Sequence, residues 1–287
     1  MRMENYITIL NPCLGAGDFK KADIIFFGEE PGTAGEKGDE KECVRVQSQI
    51  KEINKSGKIY INANKPEKGF TKIPKEGGYS GGIQFYQSRM MCYLNIEKKD
   101  SNINFFEQKD KNIDAFKVID DYRANSLYKE PNSFRYKSCL IDYKPLIRSS
   151  GQAPLGYDIK ESDYKDYKYI FNHPDQKPKR GSDDLHKIFN DRIDMLKYLF
   201  KHTPRMRVIV CMGKGQWERN KALLKILFEN DSLKYENRSN GYLYAQHKMK
   251  GNNIHLFLTP FFGMGALTLK NLGKISHDLK NILSGNV

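Results

Sequence analysis

A chain of 287 residues is long enough for one or two domains with a sizeable core. Its 39% hydrophobic content, with seventeen Tyr and sixteen Phe, excludes a disordered chain. The net charge of +13 and pI of about 9.3 point to a polyanionic partner, DNA or RNA first, while a lysine-rich solvated surface is the plainer alternative.

Five cysteines, Cys13, Cys43, Cys92, Cys139 and Cys211, are odd in number and scattered, without a Cys-x-x-Cys pair. That pattern suggests neither a disulfide framework nor a zinc or iron–sulfur site. Cys139 and Cys211 lie in apolar runs and read as buried thiols, as suits a reducing cytoplasm. No apolar stretch approaches the ~20 residues that span a bilayer, and no apolar signal core follows Met1 to Asn5. The expectation is a cytoplasmic monomer.

After a short lead-in over residues 1–21, Ile24 to Phe27 form an unbroken apolar run closed by Gly28, the pattern of a buried parallel strand. The chain leaves that strand through Glu29, Glu30, Pro31 and Gly32. Pro31 fixes φ and Gly32 permits close backbone approach, so two acids sit on a stiff loop where open α/β sheets bind ligands. An acidic turn without function is the alternative. Residues 36–76 read as a long polar insertion with a strand candidate at Ile59 to Ile61. Gly77 to Gly82 then opens a helix over Ile83 to Asn95, whose apolar stripe is Ile83, Tyr86, Met90 and Tyr93.

Residues 97–137 are charged and read as a second insertion. Ser138 to Asp142 is a strand candidate, followed by Tyr143-Lys-Pro-Leu-Ile-Arg148. Residues 149–182 read as a third insertion, in which Tyr157, Tyr164, Tyr167, Tyr169 and Phe171 alternate with Lys and Asp. Rings that stack on bases beside cations that meet phosphates suit single-stranded or extruded nucleic acid, while an ordinary Tyr-rich surface flap is the plainer and preferred alternative. Ser182 or Asp183 caps a helix to about His202, and Arg207 to Met212 is a strand. Gly213 to Gly215 turns into a helix through Phe228, Tyr242–Gln246 and Ile254–Leu258 are strands, and Ala266 to Leu283 is the last helix. Strands alternating with helices predict one α/β domain over 1–287, three-layer α/β/α with a mainly parallel sheet.

Four islands, in order, resemble the uracil-DNA glycosylase superfamily and together span about half the chain. Gly28-Glu-Glu-Pro-Gly32 is similar to the first motif, written GEAPG, GQDPY or G-x-N-P-G in different branches. Leu140 to Leu146 resembles the middle strand that ends in a base-reading Asn. Val208 to Lys214 resembles the Val-Ile-Val-x-Leu-Gly strand and turn, and Thr259-Pro-Phe-Phe-Gly-Met-Gly265 stands where the HPSP-type second motif would be. The resemblance implies the superfamily's fold and a monofunctional DNA glycosylase that hydrolyses the N-glycosidic bond of a flipped-out base, a reaction expected to need no metal and no other cofactor.

Glu30 holds the position of the catalytic acid in the GQDPY branch, so the resemblance makes it the water-activating base or the stabiliser of the sugar cation, with Glu29 accessory. The second-motif His is missing; Thr259, Phe261, Phe262 and the backbone from Gly263 onward are available instead. Tyr79 and Phe85 are the candidates for stacking on the base, and Gly28, Pro31 and Gly32 line its approach. Lys144, Arg148, Lys214 and Arg219 follow the strand ends and are the candidates for DNA phosphates.

Asp142 stands where the Asn is expected. An ionised Asp only accepts hydrogen bonds, so it suits the amino group of a cytosine-type base and opposes the O4 of uracil; protonated, it could give the leaving base a proton. A catalytically silent DNA- or base-binding member is the competing class, favoured by the missing His. A phosphate cradle at Gly28 to Gly35 is a third, disfavoured because two adjacent Glu repel phosphate and no Gly-Lys-Ser/Thr follows.

Overall fold

The structure is a computed structural model that describes residues 15–28, 83–96, 103–108, 111–128, 130–145, 161–176, 181–239, 241–262 and 266–285. In chain order the elements are β1 (Gly15–Ala16), β2 (Ile24–Gly28), α1 (Ile83–Asn95), α2 (Ile113–Asn125), β3 (Ser138–Asp142), α3 (Glu161–Asn172) and α4 (Asp183–Lys201). Then come β4 (Val208–Met212), a 3-10 turn (Lys214–Gln216), α5 (Trp217–Phe228), β5 (Glu236–Arg238), β6 (Tyr242–Met249), β7 (Asn252–Thr259) and α6 (Leu269–Ser284).

The strands form a seven-stranded sheet in the order β1-β3-β2-β4-β7-β6-β5. β3, β2, β4 and β7 run parallel to one another in the middle. Ile24 to Phe27 and Val208 to Met212 are buried throughout, because both faces of this centre are covered. Alternate residues feed two cores. Ile25, Phe27, Ile141, Ile209, Cys211 and Leu258 face α3, α4 and α5. Ile24, Phe26, Val208, Val210, Met212 and Phe257 face α1, α2 and α6. The protein is therefore an α/β protein with helices on both faces of its sheet.

The expectation of a mainly parallel sheet needs correction, for the sheet is mixed: β1 joins β3 antiparallel, and β5, β6 and β7 pair antiparallel in sequence. The cause is local. Lys250 and Gly251 both have positive φ, 49° and 84°, the two-residue turn whose twist closes a hairpin between β6 and β7.

Two of the three expected insertions contain core. Residues 97–137 carry α2, capped by the Asn112 side chain accepting from Ala115 N, and it buries Ala115, Ile119 and Tyr122 in the α1 face. Residues 149–182 carry α3, and its aromatic alternation is a buried stripe: Tyr167 and Phe171 are 0% exposed and their rings lie 4.6 Å apart. Those two rings are not a base-stacking surface. The expected insertion at 36–76, with its strand candidate, lies outside the described residues. Ser182 caps α4 as anticipated, accepting from Leu185 N, and Cys139 and Cys211 are buried thiols.

Candidate functional site

Numbered along the chain, the four parallel strands lie in the order second, first, third, fourth. The chain leaves β2 toward β3 on one side and later leaves β4 toward β7 on the other. Their carboxyl ends therefore flank the topological switch point, where α/β sheets hold ligands. The register lines up four residues there: Asp142 pairs with Gly28, Met212 follows the Phe27–Cys211 pair, and Thr259 pairs with Met212.

Asp142 is 4% exposed and shares the α1 face with Leu140, two residues back on β3. Its carboxylate lies over the next strand: a Cβ on Gly28 would sit 2.5 Å from Asp142 Oδ1. Close approach of this carboxylate, and not the backbone φ, is what favours glycine at 28. The backbone of Asp142 is fixed from the opposite face. Arg192, on α4 and 0% exposed, donates from Nε to the Tyr143 carbonyl at 3.0 Å and from a terminal nitrogen to the Asp142 carbonyl.

Beside Asp142 on the α1 face lies a polar pair that the sequence reading missed. Tyr128 donates its phenol to Gln87 Oε1, and Gln87 Nε2 points at Met212 Sδ, 3.6 Å away. Gln87 is 0% exposed. Burial raises the Tyr128 phenol well above its usual range and the Asp142 charge adds to that, so the group stays protonated and remains a donor. Phe262 closes this side, stacked on Tyr86 at 6.1 Å and edge-on to Phe26 at 6.4 Å.

The overlooked residues had a signal. Gln87 falls between Ile83 and Met91 at helical spacing, and Arg192 between Ile188 and Leu196. A polar side chain in the apolar stripe of a helix must find a partner inside the protein.

The expected site residues fare unequally. Gly28 and Asp142 come together as described, and Phe262 lies in the same layer. Phe85 does not offer a ring to a base: it is core, 3% exposed, stacked on Phe116 at 5.2 Å with Arg123 above it. Thr259 spends its hydroxyl on the Cys211 carbonyl at 3.1 Å, while its own carbonyl accepts from Gly213 N and Trp217 Nε1. Phe261 is 42% exposed and stands outside the core. Lys144 and Arg219 are buried, 2% and 7% exposed, and Arg219 lies over the Tyr143 ring at 5.8 Å. Neither presents its charge at the surface to a nucleic-acid backbone. Glu29, Glu30, Pro31, Gly32, Tyr79, Arg148 and Gly263 lie outside the described residues, as does the Lys214 side chain.

Among the described residues no group of three or more His, Cys, Asp or Glu is gathered as metal ligands would be, and no helix is long and apolar enough to cross a membrane. No model of a known protein family, no curated protein and no solved structure matches the chain.

Proposed function

We propose that the protein is a DNA glycosylase of the uracil-DNA glycosylase type, acting on a flipped-out base of the cytosine class. The observation that carries this reading is the Asp142 carboxylate lying over Gly28 at the switch point, on the strand end from which Glu29, Glu30, Pro31 and Gly32 depart. In this reading Asp142 accepts from the exocyclic amino group of the base, because a carboxylate facing the O4 of uracil would oppose lone pairs and stay uncompensated. Glu30 orients water or stabilises the positive charge that develops on the sugar as the bond breaks. The charge of +13 supplies the general attraction to DNA, through cations other than Lys144 and Arg219.

The test is mass spectrometry of bases released from matched DNAs carrying uracil, cytosine or 5-substituted cytosine. Release of a cytosine-type base in preference to uracil is the expected result; preferential release of uracil overturns the assignment of the base. One observation favours a second reading, a member that binds DNA or a base without cutting. The hydroxyl of Thr259, where the second-motif His would stand, donates its proton to the Cys211 carbonyl, so that proton is already committed. Salt-dependent DNA binding with no base released from any of these DNAs would establish that reading instead.

A further inference from the structure

The pair Gln87–Tyr128 does more than fill the core. Gln87 Oε1 is taken by the Tyr128 phenol, so the amide cannot turn without losing that bond and setting its oxygen against the Met212 thioether. The NH2 end therefore has a fixed direction, toward the carboxyl end of β4. Its only partner among the described residues is a thioether sulfur, a weak acceptor, although the side chain is 0% exposed. Tyr128 holds this arrangement from a left-handed backbone, φ 64°, a conformation that a bulky residue rarely adopts. Strain of this kind is kept where surrounding structure demands it, and such positions cluster at ligand sites.

Asp142 supplies the complementary half. It lies close enough for its charge to act on the Tyr128 phenol, and its carboxylate reaches over Gly28, which carries no side chain, on the strand between β3 and β4. An acceptor and a directed donor thus stand on one face of the sheet, either side of the glycine.

We infer that Gln87, held in one orientation by Tyr128, is a base-reading residue that donates a hydrogen bond to the ring nitrogen or carbonyl of a pyrimidine whose amino group Asp142 accepts. This rests on the glycosylase reading for the origin of the base but not for its recognition. The class of ligand is a 4-aminopyrimidine: its edge places a donor beside an acceptor, matching Asp142 and Gln87 in that order. Uracil places its O4 against Asp142 and is rejected. Tyr128 is a positioning residue; it acts through the amide.

Free bases test the inference without DNA or catalysis. The full chain, labelled with nitrogen-15, is titrated with 5-methylcytosine and with uracil while the side-chain amide signals are followed. The Gln87 signal is assigned by its loss in Gln87→Met, which removes the donor at similar volume. Expected are a shift of that signal with 5-methylcytosine, about tenfold weaker binding of uracil, and about tenfold weaker binding of 5-methylcytosine to Gln87→Met. Tyr128→Phe, which removes only the phenol oxygen, should weaken 5-methylcytosine by about threefold or more while binding to a duplex with an abasic-site analogue stays unchanged. A purely structural tyrosine would leave base binding as it was or lower both affinities together.

No base moving the signal, or equal binding to wild type and Gln87→Met, overturns the inference. Base release from DNA separates the two readings. Free base bound as expected with none released removes the glycosylase and leaves the reader. Release with unchanged base preference in Gln87→Met removes the reader and leaves the glycosylase.

Discussion

A buried carboxylate lies at each end of β3, Glu130 from the preceding loop and Asp142 on the strand itself, and the two behave differently. At the amino end, Glu130 accepts from Ser138 N at 3.1 Å, from Ser138 Oγ and from Tyr122 OH at 3.3 Å. Asn95 continues that network by donating to Tyr122 OH and bonding the backbone of Tyr136. At the carboxyl end, Asp142 lies over a glycine at the switch point, with its backbone clamped by Arg192 and the Gln87–Tyr128 pair alongside. Burial of an acid does not mark a site, since both are buried. What distinguishes them is position: Glu130 ties α1, α2 and the amino end of β3 together, whereas Asp142 lies at the carboxyl end of β3, the side on which α/β sheets hold ligands.

The largest expected effect breaks the comparison at Asp142. Asp142→Asn should lower release of a cytosine-type base by about a hundredfold and move preference toward uracil, because the amide can donate where the carboxylate could not. Single-turnover release from matched DNAs measures it; an unchanged preference would place Asp142 among the structural acids.

Next comes Glu130. Burial pushes its carboxyl up to about 7 from the ordinary 4.5, against the lowering effect of its Ser138 bonds. The folded state then binds the proton more tightly than the unfolded chain. Stability should therefore fall as pH rises from about 4.5 to about 7 and level off above, by on the order of 3 kcal/mol. Urea midpoints across that range should show the fall in wild type and much less of it in Glu130→Gln. A flat wild-type profile would show the carboxyl ionised at its ordinary pH.

Gly28→Ala sharpens the contrast from the other side. Its Cβ would displace the flexible Asp142 carboxylate and not a backbone atom, so stability should drop by only about 1 kcal/mol while base release falls about tenfold or more. Parallel loss of both would mean that the close approach serves packing alone. The smallest effect belongs to Tyr122→Phe, which removes one donor to Glu130: about 1 kcal/mol of stability by urea unfolding, with base release unaffected.

Much of the architecture was legible in the chain. The apolar runs Ile24 to Phe27 and Val208 to Met212 read as buried strands and are so, and Ser182 marks a helix start by its chemistry, a side-chain acceptor for the first turn. Periods of two and of 3.6 are local properties, and α1 and α4 follow from them. The hairpin was missed because Lys250–Gly251 is a weak turn signal, and α2 and α3 because charged residues on their outer sides obscure the buried stripes.

For the site, the sequence placed Gly28 and Asp142 at the carboxyl ends of two strands, since each closes a short apolar run. Only the tertiary structure decided what surrounds them. Gln87 and Tyr128 are 41 residues apart, and Arg192 is 50 residues from Asp142. No periodicity carries information over such separations. Burial likewise removed Lys144, Arg219 and Phe85 from the surface roles their types suggested, because whether a cation or a ring meets solvent is settled by which helix packs above it.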